Sequence, residues 1–248
     1  MFTSKQQLSG GMGVDPEIAA FFVDRKVPSG NMYWKGRYLY VARGTGYLFI
    51  PLFFDLQWKA GIEKEFLLNE EYVGLMEQIL HQAACYEFGD LDFESHIRNI
   101  DQLVAPHSRQ QWLLEGLRTY FSRKPLVTDG ELGTSNSALN RGDALLYLLT
   151  VPDVPADIIR KTIDYWYLLV PSFLLMDDIM DLKEDQEKNE ESSMWHYGFD
   201  AAGVRAAVSE VESNFARLEE VNPLLGQFFR STLEQKKQTP YFQTILND

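Results

Sequence analysis

Apolar residues recur at three- and four-residue spacing along nearly the whole chain, and no run alternates apolar and polar residues long enough to make a sheet strand. That pattern confines the chain to a helical solution. The helix boundaries are marked by their own chemistry. Asp15-Pro16-Glu17 opens a first helix, with proline in the turn where its missing N–H costs nothing. An aromatic segment over 31–59 is interrupted by Gly44, Gly46 and Pro51. Asn69-Glu70-Glu71 starts a helix that runs through His81 to about residue 90, and shorter helices fit 92–104 and 106–122. Residues 127–136 form the clearest loop. A helix is expected over 137–150, a long one from 156 to at least 185, and two more over 200–219 and 222–238. The expectation is one all-α, single-domain helical bundle of eight or nine helices over 15–248, preceded by a loose N-terminus at 1–14.

Composition excludes several functions. Of 248 residues, 45% are hydrophobic and 24% charged, which suits a globular chain and not a disordered one. Asp and Glu number 36 against 23 Lys and Arg, a net charge of -13, with no basic patch, so nucleic acid is not an expected partner. An anionic ligand would need metal ions or a few placed Arg and Lys side chains. The single cysteine, Cys85, allows no internal disulfide and fits a reducing, cytoplasmic home. The apolar stretches 47–54 and 165–176 fall short of the roughly 18 residues a membrane helix needs, so no transmembrane segment is expected. The four histidines form no His-Glu-x-x-His pair, and neither a phosphate loop nor a nucleophile elbow occurs.

The informative stretch is an acidic helix end. Between 177 and 191 there are eight acidic residues and two lysines, a net of -6. Asp177, Asp181 and Asp185 share one helix face at i, i+4 and i+8; Asp178 flanks it, and Glu184 and Lys188 lie close by. Like charges at that spacing repel by a few tenths of a kcal/mol per pair, beside the negative end of the helix dipole. A cation there would relieve the repulsion. Carboxylates together with a phosphate ligand suit Mg²⁺.

Followed backwards, the same face carries Phe173, Val170 and Trp166, with Tyr167 and Leu174 beside it. One helix face is therefore apolar and aromatic above and acidic below, as a pocket for a greasy tail and a metal-bound anionic head requires. Pro171 interrupts this helix and should kink it, freeing the carbonyl of Tyr167.

Phe173-Leu-Leu-Met-Asp-Asp-Ile-Met-Asp181 resembles the second aspartate-rich motif of the trans-polyprenyl diphosphate synthases, Phe-Gln-x-x-Asp-Asp-x-x-Asp. It is also similar to metal motifs of phytoene/squalene synthases and terpene cyclases, all members of the class I isoprenoid synthase superfamily. Arg141-Gly-Asp-Ala-Leu-Leu146 resembles the Lys-Thr-Gly-Ala-Leu segment of the prenyl synthases and lies 36 residues before Asp177. The resemblance covers about 135–190. It implies an isoprenoid-synthase-like fold, a prenyl diphosphate substrate and Mg²⁺ held by Asp177, Asp181 and Asp185, with Asp178 assisting. It implies diphosphate contacts from Arg141, with Lys183 or Lys188, an aromatic wall of Trp166, Tyr167 and Phe173 around an allylic cation, and a possible homodimer.

The family's first acidic motif, usually Asp-Asp-x-x-Asp, has no counterpart upstream. The nearest candidate is Glu87, Asp90 and Glu94, at i, i+3 and i+7; a lone Asp55 is the next. Two functions follow. One is a Mg²⁺-dependent transferase or lyase acting on a prenyl diphosphate. The other is an inactive isoprenoid-synthase-like helical protein that binds a lipid or a partner.

Overall fold

The computed structural model describes residues 4–26, 28–30, 49–126, 128–189 and 191–247. The chain is all-helical, and among the described residues the only β-type pairing is an isolated bridge between Asp129 and Leu132. Helix α1 spans Pro16–Asp24, α2 Phe49–Ala60, α3 Lys64–Leu67, α4 Glu70–Glu87, α5 Phe93–Val104 and α6 Gln111–Phe121. They are followed by α7 at Ala156–Met180, α8 at Leu182–Lys188, α9 at Met194–Tyr197, α10 at Ala201–Val221, α11 at Pro223–Lys237 and α12 at Pro240–Asn247. Among the described residues no helix is long and apolar enough to cross a membrane. Most of the aromatic segment 31–48 lies outside the described residues.

The caps do what the sequence signals ask. Asp15 accepts from the amides of Glu17 and Ile18, Asn69 from Glu71, Asp92 from Ser95, Asp200 from Gly203 and Asn222 from Leu225. Each satisfies an amide that the helix start leaves unpaired, worth about 1 kcal/mol.

Helix α7 is the axis, packed against α2 on one side and α10 on the other, and α10 pairs in turn with α11 and α12. On the far side, α4, α5 and α6 pack around Asp143–Thr150. All eight residues of that stretch are buried. A segment apolar on every side cannot lie at a surface, so it threads the core. The expected α-helix over 137–150 is instead two 3₁₀ pieces, Ser137–Asn140 and Asp143–Thr150.

Residues 4–14 do not behave as the expected loose tail. Gln7–Gly11 makes a π-helical turn, and Leu8, Met12 and Val14 are buried. Gly13 is held at φ +66, where an added Cβ would stand 2.3 Å from Asn222 Oδ1. Only glycine fits that left-handed, crowded position. The amide group of Asn222 donates to the carbonyls of Met12 and Gly13, tying this segment to the start of α11.

Candidate functional site

The long helix expected from 156 to beyond 185 is broken at Asp181, whose backbone turns to φ -99, ψ 9 between α7 and α8. Hydrogen bonding nevertheless continues through the bend: the Asp181 amide donates to the Asp177 carbonyl at 3.0 Å, and the Asp185 amide to the Asp181 carbonyl at 2.9 Å. Asp177 and Asp181 remain exposed on successive turns.

The other two aspartates have a different setting. Asp178 is buried; its Oδ1 accepts from Arg141 Nη2 at 2.8 Å and its Oδ2 from the backbone amide of Ser193 at 2.7 Å. Asp185 is also buried, at 8% exposure. The carboxyl of Asp177 is held above the ordinary carboxylate range, first by desolvation and then by the negative charges of Asp181, Asp178 and Asp185, with Arg141 opposing them. Lys183 and Lys188 are exposed, and Lys188 pairs with Glu184 within α8.

Glu87 and Asp90 stand exposed where α4 ends, and the neighbouring Glu94 pairs with Lys124 at 3.7 Å. The α4–α5 pair packs on the 143–150 segment, whereas the Asp177 end of α7 leads into α8 and lies beside α9 and α10. Asp55 is fully buried. Its oxygens accept from the Asp15 amide at 2.8 Å, Lys59 Nζ at 2.6 Å and Asn222 Nδ2 at 3.2 Å. That carboxylate holds three parts of the chain together.

The aromatic wall is divided. Trp166 is wholly buried, and its indole N–H donates to Asp143 Oδ1 at 2.9 Å. The hydroxyl of Tyr167 donates to Asp143 Oδ2 at 2.9 Å and accepts from the Gly133 amide. Tyr120 donates to the same oxygen at 2.8 Å. Asp143, fully buried, is thus a hub joining α6, α7 and the 129–133 turn. Burial pushes its carboxyl up to about 6, against the three donors that lower it. No pattern in the sequence marked Asp143, because its partners lie 23 or 24 residues away and are assembled only by packing.

Phe173 is the aromatic residue that reaches open space. It lines a cleft of about 200 Å³ with Met12, Leu52, Met176, Phe215 and Phe229. Its ring meets that of Phe229 edge to face at 5.1 Å. Ser172, Phe228 and Thr232 complete the wall. The Pro171 interruption places Ser172 here: its hydroxyl donates to the Leu168 carbonyl at 2.8 Å and accepts from Asn214 Nδ2 at 3.1 Å.

The fit to a metal can be judged from these contacts. Among the described residues no group of three or more His, Cys, Asp or Glu side chains is arranged to hold an ion. Asp178 is spent on Arg141 and Ser193, Asp185 is buried, and the carboxylates acting most strongly on Asp177 come from its own helical run. These residues do not fit the multi-ion cluster that the resemblance implies. Asp177 and Asp181 alone present two carboxylates one turn apart. No family model, curated protein or solved structure matches the chain.

Proposed function

We propose that the protein binds a small apolar molecule, or the end of a lipid chain, in the cleft between α2, α7, α10 and α11. In this reading it is an isoprenoid-synthase-like helical protein that holds its ligand without ionising it. The observation that carries the proposal is the cleft itself. Protein interiors are close-packed, with few voids larger than a water. A cavity of about 150 Å³ lined by such side chains stays dry and takes up benzene, and this cleft of about 200 Å³ has walls of phenylalanine, methionine and leucine. Methionine is flexible and polarisable, so Met12 and Met176 can adapt to different shapes.

Ligand binding to the native state raises the melting temperature by mass action. Toluene should therefore stabilise the wild type and leave Thr232→Phe, which fills the mouth of the cleft, at its unliganded melting temperature. An equal response of the two proteins, or no response in either, would end this reading.

A second reading is supported by the exposed pair Asp177 and Asp181, one turn below Phe173. Mg²⁺ is often held by one or two carboxylates plus substrate phosphates, and the resemblance of 173–181 to a prenyl synthase motif suggests a prenyl diphosphate substrate. Release of diphosphate from geranyl, farnesyl or geranylgeranyl diphosphate with Mg²⁺, abolished in Asp177→Asn with Asp181→Asn, would establish it in place of the first.

A further inference from the structure

We infer that the occupant of the cleft is a cationic amphiphile: a short apolar tail bearing an amine, with the tail among the phenylalanines and the ammonium group on Asp177 and Asp181. The inference rests on the cleft reading above and assigns the chemistry of its ligand.

The position of the two carboxylates follows from helix geometry. Phe173 and Asp177 are four residues apart and share a face of α7, and a helical turn advances about 5.4 Å. Phe173 lines the cleft. The Asp177 carboxylate thus belongs to the turn just beyond the cleft wall, and Asp181 to the next. A head group carried by a ligand seated against Phe173 and Met176 emerges toward them.

The cleft wall decides what the tail can be. The Ser172 hydroxyl is used by Leu168 and Asn214, and the Thr232 hydroxyl donates to the Phe228 carbonyl at 2.8 Å. A polar group inside the cleft would lose its water and find these hydroxyls already engaged, which is costly. The tail is therefore apolar along its buried length, and the polar group lies outside, at the mouth.

The charge at the mouth decides the head. Four carboxylates, Asp177, Asp178, Asp181 and Asp185, gather within nine residues, and Arg141 is the guanidinium that acts on them. Arg141 is already paired with Asp178. Tyr241 of α12 stands beside Asp181 and Asp185, whose charges help to push its hydroxyl up. An anionic head meets repulsion there, and a neutral head gains little. An ammonium gains charge-assisted hydrogen bonds, roughly twice as strong as neutral ones, and relieves the repulsion between the aspartates.

A matched ligand series tests this. Octylamine, octanol and octanoate are titrated calorimetrically into the wild type, into the double variant Asp177→Asn with Asp181→Asn, and into Thr232→Phe. For the wild type, octylamine should bind about tenfold more tightly than octanol, as one or two charge-assisted hydrogen bonds supply, and octanoate most weakly. In the double variant that preference should vanish while the affinity for octanol stays the same, which also reports that the cleft is folded. Thr232→Phe should weaken all three ligands. Equal binding of octylamine and octanol by the wild type, or an amine preference that survives in the double variant, would overturn the inference and leave the cleft reading standing. Failure of all three ligands to bind would overturn both.

Discussion

Arg141 and Asp178, 37 residues apart, form an ion pair at 2.8 Å in which the carboxylate is 6% exposed and the guanidinium 33%. The pair joins the start of the 3₁₀ core segment to the end of α7. The Ser193 amide closes the other carboxylate oxygen and brings in the loop before α9. Sequence alone assigns both residues to ligand binding; their contacts assign them to holding the fold.

Removal of Arg141 leaves a buried carboxylate with one remaining donor. Breaking such a pair costs about 3–5 kcal/mol when both partners are buried, and the partial exposure of Arg141 reduces that to about 2 kcal/mol. Denaturant unfolding should show Arg141→Ala less stable by that amount without any ligand present, with Arg141→Lys recovering part of the loss. An Arg141→Ala protein as stable as the wild type would contradict a structural role.

Asp143 should leave a signature in the pH dependence of stability. Its folded pKa of about 6 lies above the ordinary 3.8. The native state therefore holds this proton more tightly than the unfolded chain. The resulting stabilisation is complete below about pH 3.8 and is lost as pH rises through about 6, a change of about 3 kcal/mol over the window. Asp143→Asn removes the titrating group. The stability difference between wild type and Asp143→Asn, measured by urea unfolding, should shift against the wild type by that order between pH 4 and pH 6. A difference that does not vary with pH would show that Asp143 is not a buried, titrating carboxyl.

Gly13 has a single permitted occupant. Alanine there would take on a left-handed conformation costing about 1–2 kcal/mol and would drive its Cβ into Asn222 Oδ1. Asn222 also contacts Asp55, so the damage spreads to the buried Asp15–Asp55–Lys59 network. Gly13→Ala should lose 2 kcal/mol or more by these two effects together. Because Met12 lines the cleft, the variant should also bind toluene more weakly, as read by the thermal shift.

The helices were legible where local chemistry fixes them. Asp15-Pro16, Asn69, Asp92 and Asn222-Pro223 each mark a start that the fold keeps. The 137–150 stretch was read as an α-helix because its apolar residues show no period that separates α from 3₁₀. The bend at Asp181 was hidden because the i, i+4 spacing of the aspartates continues across it. At the site, the sequence places Phe173 and Asp177 on one face of α7, and Phe173 does line an open cleft. It could not reveal that Trp166 and Tyr167 turn to Asp143, or that Asp178 is consumed by Arg141, since both follow from contacts across 23 or more residues. The π-helical turn at Gln7–Gly11 was missed because glycine and serine read as loop, while the anchoring residues Leu8, Met12 and Val14 are too sparse to show a period.

The account's central claim is that the cleft beside Phe173 accepts an apolar guest. Xenon is the most direct probe, because it enters dry apolar cavities and is held by dispersion alone. A crystal of the protein pressurised with xenon should show a bound atom among Phe173, Met176, Phe215 and Phe229. A crystal in which those side chains close on one another, or in which xenon binds elsewhere and leaves this cleft empty, would contradict the account.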